Sequence, residues 1–136
     1  MGDLRGAREA LEESLRICRE TGSRYPEGFA LYGLADVALE EDRLAEAHRL
    51  LLDCIDLRRE IGDASGLADS LRLLSVAHVR AGRLDEARGA AEAALAHYRA
   101  QGRRGDASEC MGLLAGLAGG DARAAEQELA EAGADG

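Results

Sequence analysis

The sequence has no tryptophan, one phenylalanine and three tyrosines, so aromatic residues make up only 3% of its 136 positions. Aromatic and β-branched residues favour strands, and both are scarce beside alanine, leucine, glutamate and arginine, which favour helices. We therefore expect an all-α protein. Its length suits one compact domain or a short array of repeats.

Cysteine is also sparse, with Cys18, Cys54 and Cys110 widely spaced along the chain. No two of them form a C-x-x-C pair, and no histidine stands in ligand register beside them. We predict that all three are reduced core residues. The histidines are scattered too, and none belongs to an H-E-x-x-H pattern, so we expect no metal and no cofactor.

Positive charge is in deficit, since 17 basic residues stand against 26 acidic ones and leave a net charge of −9. A negative net charge opposes binding to a nucleic-acid backbone, and no cluster of basic residues predicts a local positively charged patch. The sequence also lacks an apolar signal region and the run of about 18 apolar residues that a membrane span needs. We expect a cytoplasmic protein that binds neither nucleic acid nor membrane directly.

What the sequence does contain is an internal repeat. A shift of 40 brings several columns to identity in all three copies, and these matches share one register. They fall where a helical hairpin needs leucine, alanine or glycine, so we take the repeat as a structural unit. The columns include Leu4, Leu44 and Leu84; Ala7, Ala47 and Ala87; Gly22, Gly62 and Gly102; and Leu34, Leu74 and Leu114.

Each copy carries two apolar stripes at the spacing of an amphipathic helix, which we name helix B and helix A in chain order. Helix B ends before a glycine, the residue that most easily caps a helix in the left-handed conformation. The links between helices are too short for anything but antiparallel pairs. The predicted stripes of helix A are Leu31-Leu34-Ala35-Ala38, Leu71-Leu74-Ser75-His78 and Met111-Leu114-Ala115-Ala118.

The pattern predicts a single repeat domain over residues 1–136. It consists of a half-repeat with helix B at 3–21 and of repeats at 26–61, 66–101 and 106–132. The predicted helices of these repeats are 26–40 and 43–61, 66–81 and 84–101, and 106–118 and 121–132. Because no helix A precedes the first helix B, we expect the chain to be a fragment of a larger protein. We also expect a weak homodimer through that uncovered helix, whereas residues 121–136, with five acidic residues and one arginine, resemble a solvated cap.

Three turns carry a family resemblance. Gly2-Asp3-Leu4-x-x-Ala7, Asp42-Arg43-Leu44-x-Glu46-Ala47 and Gly82-Arg83-Leu84-Asp85-Glu86-Ala87 resemble the turn between the two helices of tetratricopeptide repeats. The resemblance covers nearly the whole chain and implies a right-handed superhelical stack of antiparallel helix pairs, an α-solenoid. The period of 40 exceeds the family's usual length of about 34 and is shared by HEAT and armadillo repeats, but the Leu-x-x-Ala turn favours a longer tetratricopeptide variant.

The resemblance implies a scaffold that binds a protein or a peptide, found in bacterial signalling regulators among others. Helix A would line a concave wall and supply the contacts. Phe29 and Tyr32 beside Arg72 are residue types that anchor interfaces, and the alternative left open is that both aromatics pack as core. The positions carried over are Phe29, Tyr32, Asp36 and Leu39; Asp69, Arg72, Val76 and Val79; and Glu109, Gly112 and Gly116.

Two alternative functions stay open: a regulatory sensor that takes a small molecule or short peptide in the groove, and a self-association element. An enzyme is not predicted, because the helical serines lack a nucleophile elbow and the paired carboxylates lack an enclosed pocket. Asp53, Leu57 and Arg58 are interpreted as an exposed, mixed-sign helix face.

Overall fold

The computed structural model describes residues 3–118, which form six α-helices and no strand in that range. The six predicted helices in this range are confirmed to within two residues at each end. The seventh predicted helix, at 121–132, lies outside the described residues. The helices are α1 (Leu4–Thr21), α2 (Arg24–Glu40), α3 (Leu44–Glu60), α4 (Ala64–Arg80), α5 (Leu84–Ala100) and α6 (Arg104–Ala118).

The helices begin at equal intervals along the chain, and the same hydrogen bond closes all five turns between them. In each turn a backbone N–H donates to the carbonyl five residues earlier at 2.8 to 2.9 Å, as in the Schellman motif. The predicted glycine ends are confirmed, because Gly22, Gly62 and Gly102 have φ of 69°, 73° and 69°. These bonds run from Ser23 to Cys18, Arg43 to Ala38, Asp63 to Arg58, Arg83 to His78 and Arg103 to Tyr98.

The chain divides into two compact units whose boundary falls inside α4, between Ser70 and Leu71. In the first unit α2 packs against both α1 and α3. A core of buried residues joins the three helices, and Tyr32 packs at its edge. The buried members are Leu15, Ala30, Leu31, Leu34, Cys54 and Leu57.

In the second unit α5 packs against α6, and the shared core corrects the predicted stripe of α6. Met111 is 50% exposed, and Ala115 and Ala118 are exposed too. The prediction was wrong because the register that faces α5 is that of Leu113 and Leu117, one step round the helix. The core of this unit consists of Val79, Ala87, Ala91, Leu113 and Leu117.

Small residues lie where the helices of a pair approach each other, as the repeat predicts. Ala35, Ala47, Ser75 and Ala87 have no exposed surface. The Ser75 hydroxyl donates to the Ala87 carbonyl at 2.7 Å, so the two backbones are close enough for one short side chain to bridge them. A larger residue at either position would push α4 and α5 apart.

The three cysteines are buried and unbridged, which confirms the prediction of reduced core residues. Burial raises the pKa of the Cys54 thiol and raises that of Cys110 to about 11. Within residues 3–118, no helix is both long and apolar enough to cross a membrane.

One arginine of α1 is held by two carboxylates from later in the chain. The guanidinium of Arg8 donates to Glu41, in the turn after α2, at 2.5 Å and to Glu46, in α3, at 2.7 Å. All three side chains are half-buried. Hydrogen bonding to Arg8 also lowers the pKa of the Glu46 carboxyl below its ordinary 4.5, so this cluster ties α1 to the following pair of helices.

We expect Arg8→Gln to lower the free energy of unfolding by about 1 to 3 kcal/mol, because charge-assisted hydrogen bonds in a half-buried site are lost. The lowered pKa of Glu46 gives the effect a pH dependence. The stabilisation is complete above pH 4.5 and is lost as the pH falls through the lowered value. Urea titrations of both proteins at several pH values measure it.

The control is Arg16→Gln, since Arg16 is exposed and its partners Glu13 and Glu20 lie on its own helix. Exposed pairs of this kind contribute little. A loss for Arg16→Gln as large as that for Arg8→Gln would contradict the assignment.

Candidate interaction surface

Two aromatic side chains stand exposed on the first two turns of α2. Tyr25 is 56% and Phe29 is 54% exposed, and their rings meet edge to face with centroids 5.1 Å apart. Tyr32, one turn further on, is half-buried and packs against the core of the first unit. The alternative that both aromatic side chains pack as core does not hold for Phe29, which is exposed. Tyr32 lies between surface and core.

A buried cation lies beneath these rings. The guanidinium carbon of Arg58, in α3, is 5.3 Å from the centroid of Phe29 and 5.1 Å from that of Tyr32. Arg58 is only 3% exposed, so its charge acts on the rings with little water between them. We call Tyr25, Phe29, Tyr32 and Arg58 the aromatic cluster.

The burial of Arg58 corrects the prediction that it lies on an exposed helix face. Its Nη1 donates to the Gly66 carbonyl at 2.9 Å and to the Ser70 hydroxyl at 2.8 Å, and its Nε lies 3.7 Å from Asp63 Oδ2. A charge can leave water when polar groups replace the lost hydration. Here a carbonyl and a hydroxyl accept hydrogen bonds and the Asp63 carboxylate supplies opposite charge, whereas Nε has no hydrogen-bond partner among the described residues. Leu57, predicted on the same exposed face, is buried in the core.

Two glycines leave the space that Arg58 occupies. A Cβ atom added to Gly28 would lie 3.2 Å from its Nε, and one added to Gly66 would lie 2.8 Å from it. The first distance is tight and the second is a clash. A side chain at Gly66 would therefore displace Arg58 and Asp63, whose Oδ2 would clash with the added Cβ, and one at Gly28 would press on the arginine.

The second unit repeats the contact between an arginine and an aromatic ring, but the two residue types have exchanged positions. Tyr32 and Arg58 correspond, after a shift of 40, to Arg72 and Tyr98. The Arg72 guanidinium carbon lies 5.9 Å from the centroid of Tyr98, which is fully buried. Each unit therefore places one cation on one ring at the same two repeat positions, with helix A supplying the ring in the first unit and the cation in the second.

Acidic side chains hold Arg72 from the neighbouring helix. Its Nη1 lies 2.5 Å from Glu109 Oε2 and 3.4 Å from Asp106 Oδ1, both in α6. Arg103 shares Asp106 at 3.0 Å and also stacks on Tyr98, with its Cζ 4.6 Å from the ring centroid. The predicted site residues Arg72 and Glu109 are thus in direct contact.

The remaining predicted positions differ in exposure. Asp36 is exposed, Asp69 and Val76 are half-buried, and Gly112 and Gly116 are half-buried. Leu39 and Val79, predicted to face the groove, are buried, which corrects that expectation. Val79 packs with Ala87 and Ala91 of α5, because the short turn brings the end of helix A against the next helix B.

The burial of Arg58 was not predicted, although the sequence carries a signal of it. Arg58 stands in the same repeat column as Cys18 and Tyr98, both of them residue types that are often buried. A charged residue in such a column indicates a buried cation with dedicated partners. Within the described range, no group of three histidine, cysteine or acidic side chains is placed to hold a metal ion.

One family of known proteins matches this sequence. A family model described as tetratricopeptide repeat matches residues 28–100, more than half of the chain. The match runs from the first turns of α2 to the end of α5, and so includes Phe29, Arg58 and Arg72. No match was found among the curated proteins or among the solved structures.

Proposed function

This chain belongs to the tetratricopeptide repeat family, and from that premise we propose that it is a non-catalytic scaffold that binds a protein or a peptide. Repeats of this family are typically interaction modules. The observation that carries the proposal is the exposed pair Tyr25 and Phe29, supported by buried Arg58. The family resemblance alone supports a further part of the proposal, a role in a bacterial-type signalling or regulatory protein of the cytoplasm.

Exposed aromatic rings are suited to binding when they are already held in place. Tyrosine and phenylalanine bury large areas on contact, and a rigid side chain loses little conformational entropy when it binds. Phe29 is held from one side by the ring of Tyr25 and from below by Arg58. We assign it as the main anchor, with Tyr32 at the rim of the same contact.

The negative charge of the protein indicates which kind of peptide it would bind. The net charge of −9 and the exposed position of Asp36, two turns after Phe29 on α2, favour a segment that carries basic side chains beside an apolar one. The other predicted positions of α4 stay proposed contacts of their own units, Asp69 in the first and Arg72 and Val76 in the second. Arg72 would act in its ion pair with Glu109, which fixes the direction of its guanidinium.

The test is a peptide array probed with the 136-residue protein, followed by affinity measurements on the selected peptides. Phe29→Ala should weaken binding by about tenfold or more, as removal of an interface anchor does. The matched control is Leu52→Ala, which removes a side chain of similar exposure from a helix B. Selection of no peptide, or equal losses for both variants, would count against the proposal.

Self-association is the second candidate, and the exposure of Ile17 on α1 favours it. With Phe29 on α2 it gives each of the first two helices an exposed apolar side chain that a second copy would cover. Sedimentation velocity at increasing concentration measures this. Ile17→Glu should shift a dimer toward monomer, and a sedimentation coefficient that stays at the monomer value at every concentration would exclude the dimer.

A further inference from the structure

A cleft of about 330 Å³ opens at the turn between α5 and α6, in the second unit. Half of its lining residues are arginines and none is acidic, in a chain whose net charge is −9. We propose that this cleft binds a phosphoryl group. The lining residues are Tyr98, Arg99, Gly102, Arg103, Arg104 and Ala107.

Arg103 forms the fixed part of the cleft. It stacks on the buried ring of Tyr98, and its Nε donates to Asp106 Oδ2 at 3.0 Å. Its Nη1 also donates to Gln101 Oε1 at 3.3 Å. These contacts hold the guanidinium in one orientation, so a bound anion would meet a preorganised surface. Asp106 offsets the charge of Arg103, and the excess positive charge therefore comes from the two other arginines.

Arg99 and Arg104 supply that excess from either side of the turn. Both are exposed, and the Nη2 of Arg99 lies 3.6 Å from the sulfur of Met111, an uncharged and weak acceptor. Two like charges at the mouth of one cleft repel each other, and an anion between them removes that repulsion. Arg99, Arg103 and Arg104 fall in a stretch, 93–105, that has no acidic residue, so the proposal departs from the expectation that no basic cluster forms a local patch.

A phosphoryl group fits this arrangement better than a carboxylate. It carries up to two negative charges and three acceptor oxygens, so guanidinium forks can bind it from more than one direction. The cleft is also larger than one phosphate ion, which leaves room for a group attached to the phosphorus. The ligand is therefore free phosphate or the phosphorylated side chain of a peptide, and the overall charge of −9 disfavours a nucleic-acid backbone.

The cleft shares no residue with the aromatic cluster. It uses the turn after α5, whereas the main anchor of the proposed peptide contact, Phe29, lies on α2. Neither proposal depends on the other, and loss of peptide binding in Phe29→Ala would leave phosphate binding unchanged.

The experiment is an NMR titration of the 136-residue protein that follows the Gly102 amide and the arginine Nε–H signals. The probes are inorganic phosphate, a phosphoserine peptide and its unphosphorylated form, at constant ionic strength with chloride as the background anion. We expect both phosphorylated probes to shift the Gly102 signal in a saturable way. The double variant Arg99→Gln with Arg104→Gln should bind at least about tenfold more weakly, since two charge-assisted contacts are lost.

The matched control is Arg59→Gln, because Arg59 occupies the position of Arg99 one repeat earlier and is likewise exposed. It should bind as the unchanged protein does. Tighter binding of the phosphopeptide than of phosphate would support the site and identify a phosphorylated side chain as the ligand, whereas equal binding would support it and identify the free anion.

Three results would overturn the proposal: no saturable shift with either phosphorylated probe, equal affinity in the double variant, or tighter binding of a DNA oligonucleotide than of both probes. Circular dichroism of the double variant checks that the fold is kept. If it is not, Arg104→Gln alone serves the same comparison, because that side chain is exposed.

Discussion

Tyr98→Ala is expected to lower the free energy of unfolding by about 3 to 5 kcal/mol, the usual cost of truncating a large buried aromatic side chain. Tyr98 has no exposed surface and is the largest of the fully buried side chains in the described part of the chain. Its removal also takes away the ring on which Arg72 and Arg103 stack, and leaves two cations over a cavity. Urea denaturation followed by far-UV circular dichroism gives the difference.

Tyr98→Phe separates the role of the ring from that of the hydroxyl. The phenyl ring keeps the volume and both cation contacts, so this variant should lose less than half of what Tyr98→Ala loses. Equal losses for the two variants would show that the ring and its stacked arginines are not the source of the stability.

Arg58→Ala is expected to be destabilising by a similar amount, about 3 to 5 kcal/mol, because it empties a buried site and leaves the half-buried charge of its ion-pair partner uncompensated. The stranded group is the Asp63 carboxylate, 3.7 Å from the guanidinium in the folded protein. The substitution also removes the hydrogen bonds to Gly66 and Ser70 and the support beneath Phe29. The same denaturation measurement applies.

The chain offers two controls for this prediction. Arg59→Ala changes the next residue, which is exposed, and should cost little. Adding Asp63→Asn to Arg58→Ala removes the stranded charge while its amide oxygen can still accept from the Gly66 N–H, as Asp63 does at 3.0 Å. The double variant should therefore be more stable than Arg58→Ala, and a further loss instead would contradict the ion-pair explanation.

The positions of the helices could be predicted because they depend on local chemistry that repeats. Gly62 and Gly102 mark helix ends since the left-handed conformation there favours glycine, whichever helix packs nearby. The stripes of α2 and α4 were predicted correctly for a similar reason. Leu34 and Leu74 stand in a column that is apolar in every copy, and both are buried.

The aromatic cluster could be predicted only in part. The shared face of Phe29 and Tyr32 follows from their spacing on one helix, but the cation beneath them comes from α3 and is kept buried by α4. The charge of Arg58 indicates an exposed residue, and only its tertiary partners reverse that. The stripe of α6 failed for the same kind of reason, since Met111 is apolar yet half-exposed, and which apolar side faces α5 depends on packing.

The uniform spacing of the helices limits how the length of this chain can change. The interval from the start of one helix to the start of the next is the same throughout, and two such intervals make one full pair. Duplication or loss of a whole pair would join like to like, so every helix would keep its kind of neighbouring helix. Insertion or loss of one helix and one turn would keep the turns intact, but it would put residues suited to helix A in the place of helix B. Arg58 and Tyr98 would then be moved away from their stacking partners. Gene rearrangements that preserve the fold are therefore expected in whole pairs.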